Sequence, residues 1–194
     1  RWIISLLNTL IKDVTAAYED YDVTAAGRMI QEFVNDNLSN WYVRLNRKRF
    51  WGGTMDRDKL SAYQTLYDAL ETVALLSAPI APFFMERLFL DLNVVSGRHK
   101  ESSVHLVMMP EANESALDKA LEERMELAQR ASSMILALRR KVNIKVRQPL
   151  AKILVPVLDN RLQEQFELIK GIVLGEVNVK EVEYIHDTKG LITK

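Results

Sequence analysis

A chain of 194 residues that is 48% hydrophobic is long enough for one large domain, or a main domain with a small appendage, and apolar enough for a real core. Its 26 basic and 26 acidic side chains give zero net charge, so bulk charge offers no argument for a polyanionic partner and any electrostatic function must come from arrangement. The lack of cysteine excludes disulfides, thiolate zinc sites and a cysteine nucleophile; it fits a reducing compartment, with the cytoplasm as the default.

The chain opens on Arg1-Trp2-Ile3-Ile4, which lacks the charged start, long apolar centre and small-residue cleavage site of a secretory signal. No run of about 18 apolar residues occurs, so no membrane partner is expected. Apolar helical spacing begins almost at once with Ile3, Leu6, Leu7, Leu10 and Val14, and the first residue is not Met, so the chain reads as cut from a longer polypeptide.

That first amphipathic helix ends near Tyr18. Asp22 can cap a second, with Met29, Ile30, Phe33, Val34, Leu38, Trp41, Tyr42 and Leu45 on one face. A third helix runs from about Asp56, with Tyr63, Leu66, Tyr67, Leu70, Val73, Ala74 and Ser77 in line. Pro79 and Pro82 stop or kink it, because proline lacks the amide donor and clashes with the preceding turn. A shorter helix follows through Phe84, Met85, Leu88 and Phe89. Ser96 to Ser103 reads as a loop, and Val104 to Met109, closed by Pro110, as a short extended piece.

The longest helix comes next. Ser115 and Asp118 imitate a capping box, and Leu121, Met125, Ala128, Ser132, Ile135, Leu138 and Val142 keep helical spacing. Beyond Gln148-Pro149 the period changes: an apolar run at Ile153-Leu154-Val155, a helical stretch from Arg161 to Lys170, then alternation from Val177 to Ile185. The expected class is mainly α: an antiparallel helical bundle over residues 1–148, followed by a small α/β module over 149–194. No internal repeat is visible.

Catalytic patterns are missing. His99, His105 and His186 are scattered, and there is no metal-binding histidine pair, phosphate-cradling glycine loop or nucleophile elbow. Charge arrangement says more. The stretch "NWYVRLNRKRFWGG", residues 40–53, gathers Arg44, Arg47, Lys48 and Arg49 among Trp41, Tyr42, Phe50 and Trp51 with no acid between. From Leu127 to Leu158 there is again no acid, while Arg130, Arg139, Arg140, Lys141, Lys145, Arg147 and Lys152 fall there. Clustered Lys and Arg gain affinity for a polyanion by releasing its condensed counterions.

A charge run is usually a solvated helix face, and aromatics at helical spacing are usually core. Trp41, Tyr42 and Leu45 continue the stripe of Phe33, Val34 and Leu38, so packing is their expected role. At about 100° per residue, however, Asn40, Arg44, Arg47 and Trp51 form a separate stripe, and an exposed Trp beside arginines has no core to explain it. Such surfaces hold RNA by phosphate clamps plus a flat ring on which an unpaired base stacks. A helical scaffold binding an acidic protein would use the same residue types.

Three segments, "LSNWYVRLNRKRFWGG", "LLSAPIAPFFMERLF" and "LRRKVNIKVRQPLAKILVPV", resemble in that order stretches that follow the catalytic domain of isoleucyl-tRNA synthetases, and the likeness covers essentially the whole chain. The proline segment is shared by several class I synthetases; the Trp-Tyr-Val-Arg to Arg-Phe-Trp run is the isoleucyl one, and the valyl sibling is the near alternative. The resemblance implies an anticodon-binding helical bundle and a C-terminal junction domain. The implied partners are isoleucine tRNA and the catalytic domain of the parent chain, and the implied parent reaction is ATP- and magnesium-dependent ligation. The nucleotide motifs that the family needs for chemistry do not occur, so no cofactor and no catalytic residue are expected within these residues. Carried over position by position, the RNA-binding candidates are Arg44, Asn46, Arg47, Lys48, Arg49 and Trp51, then Lys141, Lys145, Arg147 and Gln148. Arginines suit bidentate phosphate or guanine contacts, Asn46 and Gln148 can offer donor and acceptor to a base edge, and Trp51 is the stacking candidate.

Overall fold

The structure, a computed structural model, describes residues 1–157 and 160–185; His186 lies outside them. The chain is mainly helical with one small sheet, and it divides into two compact units, Arg1–Asp118 and Lys119–Lys194.

The first unit opens with α1 (Trp2–Glu19) and α2 (Val23–Glu32), and Asp22 caps α2 as its sequence position implies, accepting from the Ala25 amide at 2.8 Å. The single long second helix expected from periodicity is not what forms. Phe33–Val43 winds as a π-helix, and the chain turns at Asn46 (φ −92°, ψ 9°) before the short α3, Arg47–Trp51. An i→i+5 ladder is wider than an α-turn, so the face computed at α-helical pitch slips: Trp41 and Tyr42 stay buried, while Leu45, expected in the core, is 40% exposed.

Asp56 caps α4 (Arg57–Ser77) through the Lys59 amide at 2.7 Å; Pro82 starts α5 (Pro82–Ser96), and left-handed Gly97 (φ 60°) ends it. Val104–Leu106 forms a 3-10 turn rather than an extended piece, with the Ser103 and Val104 ends bonded to the Glu86 carboxylate. The core joins Ile3, Leu7, Leu10 and Val14 of α1 to Ile30, Phe33, Leu38, Tyr42 and Phe50, and to Ala62, Ala69, Val73 and Leu76 of α4.

Ser115 does not cap the long helix: it sits in a 3-10 turn bonded to Asn113, and α6 starts later, at Lys119, ending at Lys141. The second unit packs α6 against α7 (Asn160–Val177), which connects the parallel strands β1 (Leu150–Pro156) and β2 (Val179–Ile185). Parallel strands need such a crossover, and Phe166, Ile169, Val173 and Val177 form the buried side of α7. On α6 the buried positions are Met125, Ala128, Ala131, Ser132 and Arg139; Leu138 and Val142, expected on that face, are 63% and 62% exposed.

Secondary structure changes from helix to strand near Gln148-Pro149, the expected boundary between modules. Packing divides the chain earlier, after Asp118, because α6 packs on α7 within the second unit.

Candidate nucleic-acid interface

In the aromatic-basic stretch, α3 is one and a half turns long, too short to be stable alone in water. It is anchored by its apolar residue and by α4. Phe50 is buried, edge-on to Tyr42 at 6.2 Å and to Tyr63 at 5.2 Å. Tyr63 Oη donates to the Phe50 carbonyl at 3.1 Å, and Lys59 Nζ donates to the Gly52 carbonyl at 3.1 Å, so the terminal carbonyls of α3 find partners on α4. Gly52 is required where the turn closes, because a Cβ there would lie 2.9 Å from the Lys48 carbonyl oxygen.

Arg49 supplies the strongest tie. Its Nε reaches Asp58 Oδ2 at 2.7 Å and its Nη2 reaches Asp58 Oδ1 at 2.6 Å, a fork on a fork, while Nη1 donates to Asn46 Oδ1 at 2.7 Å. Donating to the Asp58 carboxylate raises the Arg49 pKa further. Asn46 is used at both ends, its Nδ2 donating to the Tyr42 carbonyl at 2.7 Å. Arg49 and Asn46 therefore hold the turn that presents their neighbours.

Those neighbours face solvent. Arg44, Arg47 and Lys48 are exposed, and Trp51 is 71% exposed. The Arg47 guanidinium carbon lies 5.0 Å from the Trp51 ring centroid, a cation–π arrangement that covers one face of the indole. Of the stripe Asn40, Arg44, Arg47 and Trp51 expected on one continuous helix, the structure keeps the Arg47–Trp51 pair on α3; the turn at Asn46 separates it from Asn40 and Arg44.

In the second unit, Lys141 is in the last turn of α6, and Lys145, Arg147 and Gln148 lie in the exposed loop that follows. Asn143, at φ 56°, ends the helix in a Schellman arrangement, with the Ile144 amide bonded to the Arg139 carbonyl at 2.9 Å and the Asn143 amide to the Arg140 carbonyl at 3.1 Å. Arg139, absent from the sequence candidates, governs this loop. It is 3% exposed, and its Nη2 donates to the carbonyls of Lys145 at 2.6 Å, Val146 at 3.3 Å and Gln148. The signal for it was there: Arg139 lies one heptad beyond Ser132 on the buried stripe. Among the described residues, no group of His, Cys, Asp and Glu could hold a metal ion, and no helix is long and apolar enough to cross a membrane.

Comparison with known proteins places the chain in a family. The profile described as the anticodon-binding domain of tRNA ligase matches residues 1–155. Over its full length the chain is 58% identical to an isoleucine-tRNA ligase of Bacteroides fragilis, covering 17% of that protein. It is 57% identical to one of Cytophaga hutchinsonii, covering 18% of it. Over 93% of the chain it is 43% identical to an isoleucine-tRNA ligase of Dehalococcoides mccartyi, again covering 18% of the relative. The chain thus spans less than a fifth of the length of the curated relatives it matches. It belongs to the family of tRNA-ligase anticodon-binding domains.

Proposed function

We propose, from that membership, that the chain is the anticodon-binding region of a longer isoleucine-tRNA ligase, and that it grips the anticodon stem and loop of isoleucine tRNA. Positioning of the distant acceptor end at the catalytic domain of the same polypeptide would follow from that grip. The observation that carries the reading is Trp51, 71% exposed and capped on one face by Arg47, on a short helix braced from behind by Asp58, Lys59 and Tyr63. A ring so held offers its other face to an unpaired base, at low ordering cost.

Arg44, Arg47 and Lys48 hold backbone phosphates beside that ring, and Lys141, Lys145, Arg147 and Gln148 add RNA contacts from the second unit. Arg49 and Asn46 act by fixing the turn. The relatives are named for isoleucine, which favours the isoleucyl over the valyl reading. The whole polypeptide would activate isoleucine with ATP and magnesium in the cytoplasm; the residues here supply recognition, so the isolated chain should bind tRNA without catalysing aminoacylation.

The test is binding of isoleucine tRNA and valine tRNA across a salt series. Salt-sensitive binding that favours isoleucine tRNA supports the reading. Equal weak binding to both, with tight binding to an acidic protein, contradicts it.

A further inference from the structure

Arg139 is a full positive charge buried at 3% exposure, an arrangement that is costly unless the ion is paired and all its donors are used. Its Nη2 is committed to the loop carbonyls, but among the described residues Nε and Nη1 have no partner. No acid lies near it along the chain, from Leu127 to Leu158. The carbonyl end of α6 offsets roughly half an elementary charge, against five cations at Arg139, Arg140, Lys141, Lys145 and Arg147. A cavity of about 420 Å³ opens at this point, lined by Arg139, Arg140, Asn143 and Lys145 with the aliphatic Leu136, Ile144 and Val146.

We infer that this cavity is a phosphate site for the RNA backbone. Three of its lining side chains are cationic and none is acidic. The carbonyls of Lys145, Val146 and Gln148, which would repel an anion, are turned onto Arg139 Nη2 instead. Arg140 and Lys145, both exposed, make the direct contacts. Arg139 is the positioning residue: it fixes the loop that carries Lys145, and its charge, shielded from water, adds attraction that an exposed cation at the same distance would not.

The ligand class rests on the tRNA reading, but the site itself can be tested apart from it. In the full chain, amide chemical shifts of residues 139–146 are followed during titration with inorganic phosphate, with sodium chloride at matched ionic strength as control. Saturable shifts with phosphate alone, lost in Arg140→Ala/Lys145→Ala, are expected. Each of those single substitutions should also lower the salt slope of tRNA binding by about 0.7 to 0.9, the loss of one phosphate contact. Arg139→Lys keeps the charge and loses the Nη2 contacts that hold the loop carbonyls, so phosphate shifts should weaken even where the fold is retained. No saturable shift, or tRNA binding with an unchanged salt slope in both exposed-site variants, overturns the site and leaves the tRNA reading standing. Saturable phosphate shifts in a chain that binds no tRNA support the anion site and defeat the RNA assignment.

Discussion

Arg49 closes a two-pronged ion pair on Asp58, with Nη2 at 2.6 Å and Nε at 2.7 Å from its two oxygens, and so ties the short helix that carries Trp51 to the first turn of α4. The pair is partly exposed, which limits its worth to about 1 kcal/mol or less of global stability. Its larger effect is local. Asp58→Asn should change the denaturant midpoint little, yet raise amide exchange across Arg47–Gly53 and weaken tRNA binding. Exchange as slow as in the parent chain would remove the positioning role.

Trp41 and Leu45 are adjacent on the expected stripe but differ in the structure, at 8% and 40% exposure. Trp41→Ala should therefore cost about 3 to 5 kcal/mol of folding stability as a large-to-small core change. Leu45→Ala should cost about 0.5 kcal/mol, as surface changes do. Urea unfolding of the two variants checks the π-helical winding of Phe33–Val43 through its consequence for these side chains; equal losses would restore the single α-helix.

Burial lifts the Tyr42 phenol above its ordinary value of 10.0, and its hydroxyl donates to the Ala62 carbonyl at 3.0 Å within the core. The folded chain then holds this proton to a higher pH than the unfolded chain does. The contribution is whole below the ordinary tyrosine value and is lost as pH rises from there through the folded value. Tyr42→Phe should flatten the alkaline fall in stability, read from urea midpoints at roughly pH 9 and roughly pH 11. An equally steep fall in the variant would show that this phenol does not titrate with unfolding.

The packing of α6 on α7 makes a prediction about fragments. Residues 1–118 should unfold cooperatively by themselves, since the core cluster around Ile3, Phe33 and Val73 draws on positions up to Ala112. Residues 1–148 would instead expose the Met125, Ala128 and Ala131 face of α6 and bind hydrophobic dye. A 1–148 fragment clearly more stable than 1–118, and without dye binding, would move α6 into the bundle.

Local signals made much of this legible: Asp22 as a cap, a helix from about Asp56, Pro79 and Pro82 as the break after it, and the exposure of a Trp lying off the apolar stripe. The π-helix was not, because phase at α-helical pitch is extrapolated turn by turn and an i→i+5 ladder leaves no compositional mark. The Arg49–Asp58 fork was hidden for another reason. It crosses a turn, so no helical spacing connects its ends, and Arg49 reads as one more cation in a basic run. The burial of Arg139 was not legible because the apolar stripe continues along the aliphatic Leu138 and Val142, which the structure leaves exposed while Arg139 is buried.

The most direct test of the RNA surface is the affinity of the chain for isoleucine tRNA, measured across a salt series for Arg47→Ala and Trp51→Ala. Arg47→Ala should keep stability within about 0.5 kcal/mol, weaken binding and lower the salt slope by about 0.7 to 0.9. Trp51→Ala should cost about 1 to 3 kcal/mol of binding with little change in slope, as the loss of a stacking platform does. If both variants bind isoleucine tRNA as the parent chain does at moderate salt, the Arg47–Trp51 pair is not an RNA surface, and the central claim fails.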